Sequence, residues 1–255
     1  HHGTIDEILG DAILCIFGAP LRRADDAERA ITCALEMQQA MEQVNAWNRA
    51  QGLPEVEMGI GMHTGDAIVG NIGSEKRSKY GVVGTPVNIA SRIESFTLGG
   101  QVLASGATVA AVRSPLHVTN ELTVHPKGSP DPIRLVEISG IDGATPIRIE
   151  PVSLPLLPLR APLTVRCAIV ERKSISEQRF EVEIIAASAK GAELRSAVAI
   201  PLMTDLMMRF DDASSRVADA FAKVVGPGSG AGTYVVRFTT LSPTGRALLL
   251  GGVAP

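Results

Sequence analysis

Several residue types are scarce in this chain of 255 residues, and each scarcity argues against a class of protein. Aromatic residues make up only 4%, too few for a series of stacking platforms for single-stranded nucleic acid. The net charge is −3, so no excess of positive charge favours a nucleic-acid partner. No apolar run approaches the roughly 18 residues that a membrane-spanning helix needs. With 45% hydrophobic and 20% charged residues, the composition is that of a folded globular protein.

Cysteine is also rare, with three residues far apart in the chain, Cys15, Cys33 and Cys167. An odd, unclustered set argues against a disulfide framework and against a zinc site. Because the first residues also lack a signal-peptide pattern, the sequence predicts a reducing, cytoplasmic location.

Apolar patterning predicts an α+β domain in the first part of the chain. Two short apolar stretches within residues 3–20 flank Gly10 and predict a β-hairpin. Residues 24–47 carry apolar side chains at a spacing of three to four and predict a long helix. Apolar stretches at 58–62 and 67–72 predict a second hairpin.

Turn and cap residues predict the elements that follow. Residues 86–96 are expected to form a helix, with Thr85 as its N-cap and a proline in its first turn. Ser105 is expected to cap a short helix. Stretches at 121–125 and 133–137 predict another hairpin.

The second part of the chain has a different character. Four prolines punctuate residues 141–159, a composition typical of a linker between domains. Alternating polar and apolar residues then predict a small all-β domain over 160–255. Its clearest strands are expected at 163–170, 178–186, 192–195 and 234–238.

Some polar residues have both a chemical and an ordinary interpretation. Asn88 and Arg92 are four apart on a predicted helix and therefore share a face that could hold a phosphate or sugar oxygen, or could simply be solvated. Asp11 could bind Mg²⁺ or be an ordinary turn aspartate. Lys127 has the pattern of a solvated turn lysine. His63, without a second histidine or a cysteine nearby, is expected to be structural.

Three segments taken in order are more informative than any single residue: GTIDEILGDAILCIFGAP, MGIGMHTGDAIVGNIGSEKRSKYGVVGTPVNIASRIES and VHPKGSPDPIRLVEI. Over residues 1–140 they closely resemble the class III adenylate and guanylate cyclase catalytic domain. The resemblance implies a ferredoxin-like α+β core that converts a nucleoside triphosphate to its 3′,5′-cyclic monophosphate and pyrophosphate. It also implies a homodimer with active sites at the interface, and two Mg²⁺ or Mn²⁺ ions.

The resemblance also implies roles for individual residues. Asp11 matches a metal-binding aspartate. Asn88 and Arg92 match the catalytic pair that orients the ribose and stabilises charge in the transition state. Lys127 matches a lysine that contacts the substrate phosphates.

Two further positions match the residues that select the base. Glu7 stands where members that use GTP usually have glutamate, because a carboxylate accepts hydrogen bonds from guanine N1–H and the 2-amino group. The partner position is Gly81, which has no side chain and favours neither base. The sequence therefore favours GTP over ATP.

One departure from the family pattern concerns the metal site. The family's first metal aspartate lies on an opening strand upstream of the motifs found here, so the core is expected to lack its first strand and helix. On this basis the sequence predicts that the 255-residue chain is inactive alone. The rival hypothesis is a non-catalytic regulatory module that pairs with a cyclase or binds a nucleotide second messenger.

The C-terminal region more weakly resembles a PilZ domain, a small β-barrel that often binds cyclic di-GMP. Ser188 and Gly191 support the resemblance. The family pattern also has two arginines four residues apart before the barrel, but here only Arg160 is present and Thr164 stands at the second position. Ala186 replaces an acidic or amide residue two positions before Ser188. These departures favour a structural or partner-binding role over cyclic di-GMP binding.

Overall fold

The structure, a computed structural model, describes residues 1–74, 76–124, 132–143, 145–151, 154–171, 174–211 and 217–253. The chain divides into two compact units, His1–Val152 and Ser153–Pro255. None of the helices in these described ranges is long and apolar enough to cross a membrane.

The first unit combines short sheets with three helices. In chain order its elements are β1 (Thr4–Leu9), β2 (Ala12–Ile16), α1 (Asp26–Ala50), β3 (Ile60–Met62), β4 (Ile68–Ser74), β5 (Arg77–Val83), α2 (Thr85–Ser95), β6 (Val102–Ser105), α3 (Gly106–Ala110), β7 (Leu116–Val124), β8 (Ile133–Ile141) and β9 (Ile147–Arg148).

The first predicted hairpin is confirmed. Strands β1 and β2 pair antiparallel across a turn in which Gly10 has φ 67°, a backbone conformation that glycine adopts without strain. A five-stranded sheet in the order β3-β6-β8-β7, with β9 beside β8, forms the centre of the unit.

The predicted second hairpin is wrong. Strand β3 pairs parallel with β6, and β4 pairs antiparallel with β5, so the segments at 58–62 and 67–72 are not partners. Strands β4 and β5 pair along their length, and the pair closest to the turn between them is Ser74 with Arg77. Every residue of β3 is half-buried, as expected for a parallel strand with both faces covered. Local alternation could not reveal this, because the partner strand lies far along the chain.

Helix α1 covers the central sheet with one apolar face. Ile31 and Leu35 are fully buried and pack with Val136 and Ile138 of β8. Its first turn carries Asp26 and acidic neighbours, which the positive end of the helix dipole favours.

Helix α2 begins one residue earlier than predicted, and the prediction of Thr85 as its N-cap is wrong. Gly84 is the N-cap, with φ 139°, and no side chain caps the helix. This glycine conformation turns the chain directly from β5 into α2, so Thr85 is already helical. The prediction for α3 is confirmed, since Ser105 Oγ accepts a hydrogen bond from the amide of Thr108.

The second unit is a closed six-stranded barrel with one helix. Its elements are β10 (Leu157–Glu171), β11 (Ser174–Ala187), β12 (Gly191–Ser196), β13 (Asp205–Asp211), β14 (Val217–Pro227), β15 (Thr233–Leu241) and α4 (Pro243–Gly251). The barrel order is β10-β11-β12-β15-β14-β13, and β10 pairs with β13 to close it. Phe210, Leu194 and Leu206 lie in its core. Patterning did not predict helix α4, whose N-cap is Ser242, a residue whose hydroxyl accepts from the amide of Gly245.

The segment expected to be a linker contributes strands to both units. Strand β9 pairs with β8, and β10 begins at Leu157. Ile141 and Ile147 are buried in the core beneath α1. The apolar residues between the prolines therefore complete the first sheet, which a composition-based assignment overlooked.

Candidate active site

Strand β1 carries an extra residue at the position before Glu7. Ile5 pairs with Cys15 and Glu7 pairs with Leu14, so Asp6 has no partner of its own on β2. Such a β-bulge re-aims the side chains around it. Here the bulge turns Asp6 and Glu7, although adjacent in sequence, toward the same neighbouring strand, β5.

The carboxylate of Glu7 is held by a cation on β5. Its Oε1 lies 3.0 Å from Nζ of Lys79, and the side chains of Lys79 and Glu7 remain 54% and 44% exposed. An ion pair this exposed contributes little to stability, about 0–1 kcal/mol. It does place the carboxylate beside Lys79 at an accessible surface.

Gly81 lies on β5, two residues beyond Lys79, and is buried. A Cβ built on Gly81 would lie 3.1 Å from Oδ1 of Asp6, closer than ordinary van der Waals contact. Within the described part of the chain, that oxygen is buried without a hydrogen-bond partner. The structure therefore brings the two predicted base-selecting positions together, and adds Asp6 and Lys79 beside them.

The predicted metal ligand lies at the tip of the first hairpin. Asp11 is exposed in the turn between β1 and β2. Its carboxylate is the kind of hard oxygen ligand that Mg²⁺ and Mn²⁺ accept. Among the described residues, however, no group of three metal-ligating side chains comes together. Asp11 fits as one ligand of a divalent ion, and these residues do not complete a site.

Helix α2 presents the predicted catalytic pair. Asn88 is exposed and Arg92 is half-buried, one turn apart, so both lie on the same face. Ile93 is fully buried and anchors the helix. Gly61 of β3 allows close approach, because an added Cβ there would lie 2.5 Å from Cα of Glu94.

The remaining sequence candidates are Lys127 and His63. Lys127 lies outside the described residues. The Nδ1 atom of His63 is 2.8 Å from Oγ of Ser105, and burial lowers the pKa of His63 below its usual value. A partly buried, neutral histidine bonded to a helix cap agrees with the predicted structural role.

Two residues of this site were missed from the sequence. Lys79 could have been found, because residues two apart on a strand share a face and Gly81 was already a candidate. Asp6 could not, because normal alternation places adjacent residues on opposite faces and only the bulge brings Asp6 to the side of Glu7.

The barrel residues that supported the PilZ resemblance serve local structure. The amide of Ser188 donates to the carbonyl of Gly191 at 2.8 Å, and its hydroxyl accepts from the amide of Lys190 at 3.3 Å. The amide of Arg160 donates to the carbonyl of Gly252.

The site thus combines the exposed carboxylate of Glu7 and the partly buried one of Asp6 with an amide and a guanidinium on one helix face, groups that can bind the base, the ribose and the phosphates of a nucleotide. The family model described as "Adenylate and Guanylate cyclase catalytic domain" matches residues 4–136, more than half of the chain. The chain belongs to this family of cyclase catalytic domains.

Individual relatives agree with this assignment. Adenylate cyclase 1 of Rhizobium meliloti (strain 1021) is 37% identical over 143 residues, which cover 55% of this chain and 22% of that protein. The match thus spans about a fifth of this curated relative. The crystal structure of the guanylyl cyclase Cya2 is 49% identical, has a TM-score of 0.56, and covers 58% of this chain and 75% of that chain.

The second unit has a much more distant likeness. The PilZ domain of CeSA from a cellulose synthesizing bacterium aligns at 15% identity with a TM-score of 0.27, and covers 36% of this chain and 92% of that chain. This likeness is too distant to assign the barrel, so the PilZ assignment stays a prediction.

Proposed function

We propose that the first unit binds a nucleoside triphosphate and takes part in its conversion to the 3′,5′-cyclic monophosphate and pyrophosphate. In this reaction the ribose 3′-oxygen bonds to the α-phosphorus, the bond to pyrophosphate breaks, and the 3′-hydroxyl loses its proton. Family membership over residues 4–136 and the paired placement of Asn88 and Arg92 on α2 support the proposal.

GTP is the proposed substrate. The observation that carries this choice is the accessible carboxylate of Glu7, which pairs with Lys79 on the strand that also carries Gly81. A carboxylate accepts hydrogen bonds from guanine N1–H and the 2-amino group. Adenine has an acceptor at N1 and no amino group at C2, so it offers the carboxylate neither of these two donors. Cya2, which is 49% identical over the matched region, is a guanylyl cyclase, in agreement with this choice.

Asn88 and Arg92 are proposed as the catalytic pair. The guanidinium offers a fork of donors that matches phosphate geometry, and the amide of Asn88 can orient a ribose oxygen one helical turn away. Stabilisation of charge that develops in the transition state is the largest single contribution in many enzymes. Lys127 is proposed to contact the phosphates.

Two divalent ions and a second copy of the domain complete the proposal. Asp11 would supply one carboxylate to Mg²⁺ or Mn²⁺, and the ions would neutralise phosphate charge and activate the 3′-hydroxyl. Large apolar side chains exposed on the hairpins, including Ile8 at 68% and Ile68 at 71%, support pairing of two copies through this region.

For the barrel we favour a structural or partner-binding role. Thr164 and Ala186 offer no charged group at two positions of the PilZ pattern. The hydroxyl of Ser188 is already used within its own turn. Contacts to a dinucleotide would therefore lack most charge-assisted hydrogen bonds.

Product analysis tests the cyclase proposal. The 255-residue chain, and a longer version that begins upstream of the family's opening strand, are incubated with GTP or ATP and Mn²⁺. Cyclic products are then measured by mass spectrometry. We expect turnover only from the longer version, with GTP preferred, and erosion of that preference in Glu7→Lys. The matched control is Glu42→Lys, an exposed glutamate on α1.

Three outcomes would count against parts of this proposal. Robust turnover by the 255-residue chain would contradict its predicted inactivity. An unchanged GTP preference in Glu7→Lys would remove Glu7 from base selection. Binding of GTP or cyclic di-GMP without turnover by either version would support the regulatory module instead.

A further inference from the structure

Gly81, the position on β5 that has no side chain, lies against the carboxylate of Asp6 on β1. From the ideal Cβ position of Gly81, Oδ1 and Oδ2 of Asp6 lie at 3.1 and 3.8 Å, and the carboxyl carbon lies at 3.9 Å. The carboxylate of Asp6 thus occupies the space into which a side chain at residue 81 would project. Because glycine stands there, β1 can bring this carboxylate close to the backbone of β5.

The bulge in β1 makes this arrangement possible. Without an extra residue, Asp6 and Glu7 would project from opposite faces of the strand. With it, Glu7 reaches Lys79 and Asp6 reaches Gly81, two positions that share one face of β5. Two carboxylates therefore lie next to each other where the base-selecting positions meet.

The charges of this pair are only partly balanced. Lys79 makes its ion pair with Glu7, whereas Oδ1 of Asp6 has no hydrogen-bond partner among the described residues. A buried acceptor without a partner is unfavourable until a donor reaches it. Asp6 as a whole is only partly buried, so a ligand seated on Glu7 would approach the Asp6 carboxylate from its accessible side.

We propose that Asp6 is a specificity-determining residue, which supplies from β1 the side chain that β5 lacks at Gly81. Glu7 accepts from guanine N1–H and one hydrogen of the 2-amino group, and Asp6 accepts the second amino hydrogen. Adenine has no amino group at C2 and cannot make this hydrogen bond to the Asp6 carboxylate. This inference rests on the proposed function. It explains how the site could select guanine although residue 81 has no side chain.

Inosine triphosphate (ITP) isolates the contact, because hypoxanthine keeps N1–H and O6 but lacks the 2-amino group. Affinities of the 255-residue chain for GTP, ITP and ATP are measured by titration calorimetry at fixed Mn²⁺. We expect the wild-type chain to bind GTP about tenfold or more tightly than ITP, as for a hydrogen bond to a charged group. Asp6→Ala should lower the affinity for GTP to that for ITP and leave the affinity for ITP unchanged.

Further variants separate recognition from folding. Asp6→Asn keeps the shape and an amide oxygen, and should lose only part of the preference for GTP over ITP. Asp6→Ala combined with Gly81→Asp returns a carboxylate to the same space from β5 and should restore the preference. Asp66→Ala, at an exposed aspartate elsewhere in the unit, is the matched control and should change nothing. Thermal unfolding checks that each variant is folded.

The outcomes distinguish this inference from the proposed function. A parallel fall of GTP and ITP affinity in Asp6→Ala and Asp6→Asn would overturn the assignment, since it indicates a structural role. An unchanged ratio would overturn it as well. If neither the wild-type chain nor the longer version bound GTP, or if both preferred ATP, the proposed function itself would fail.

Discussion

The distance between helix α2 and strand β3 is set by Gly61, and replacing this glycine tests whether the position of α2 matters. The Cβ of an alanine at residue 61 would lie 2.5 Å from Cα of Glu94, and closer still to the Glu94 amide nitrogen. Carbon atoms pack at about 3.5–4.0 Å. The helix backbone must therefore move away by roughly 1 Å, because neither atom belongs to a side chain that could rotate aside.

The expected cost of Gly61→Ala follows from this displacement. Forcing extra volume into a packed contact costs typically about 1–3 kcal/mol. For a protein of this size, each kcal/mol lowers the melting temperature by about 2–4 °C. Since Asn88 and Arg92 are carried on the same helix, misplacing them by about 1 Å should also reduce turnover, by up to roughly 10²-fold.

The assay combines thermal unfolding of the 255-residue chain with cyclase turnover of the longer version that includes the opening strand. Gly70→Ala is the control, since a Cβ added there meets no atom within 4 Å. It should leave both quantities close to wild type. If Gly61→Ala matched Gly70→Ala in melting temperature and turnover, close packing of α2 on β3 would be refuted as a determinant of the site.

Two further predictions concern individual side chains. Arg92→Ala should lower turnover of the longer version by about 10²–10³-fold, measured against the exposed Arg113→Ala as control; wild-type rates would contradict the catalytic assignment. His63 has a pKa lowered by burial, so the unfolded chain takes up a proton below about pH 6.5 more readily than the folded chain. Stability in urea should therefore fall as the pH is lowered from 7.5 to 5.5. His63→Asn should flatten this dependence, and an equally steep profile in the variant would show that another group is responsible.

Much of the candidate site could be predicted from sequence because its signals are local. The four-residue spacing of Asn88 and Arg92 places them on one face of any helix. The apolar stretches on either side of Gly10 predict a hairpin with Asp11 at its tip. The prediction that Glu7 favours guanine likewise follows from the identity of one residue and its place in the family motif.

Other features depend on contacts between residues far apart in sequence. The pairing of β3 with β6 follows from packing beneath α2, and a short apolar segment cannot specify its partner by itself. Likewise, no local pattern marks Gly61 as the residue that sets the distance between α2 and β3. The close approach of Glu94 becomes visible only when sheet and helix are assembled.

The sequence by itself determined the family, the order of the motifs and the helical and hairpin elements that carry Asp11, Asn88 and Arg92, because these depend on residue identity and short-range periodicity. Only the tertiary structure decided what surrounds Gly81. From sequence this position favours neither base, but a bulge in one strand brings Asp6 to it from another strand. A single inserted residue reverses which face a side chain occupies, and that reversal depends on strand pairing that no single segment encodes.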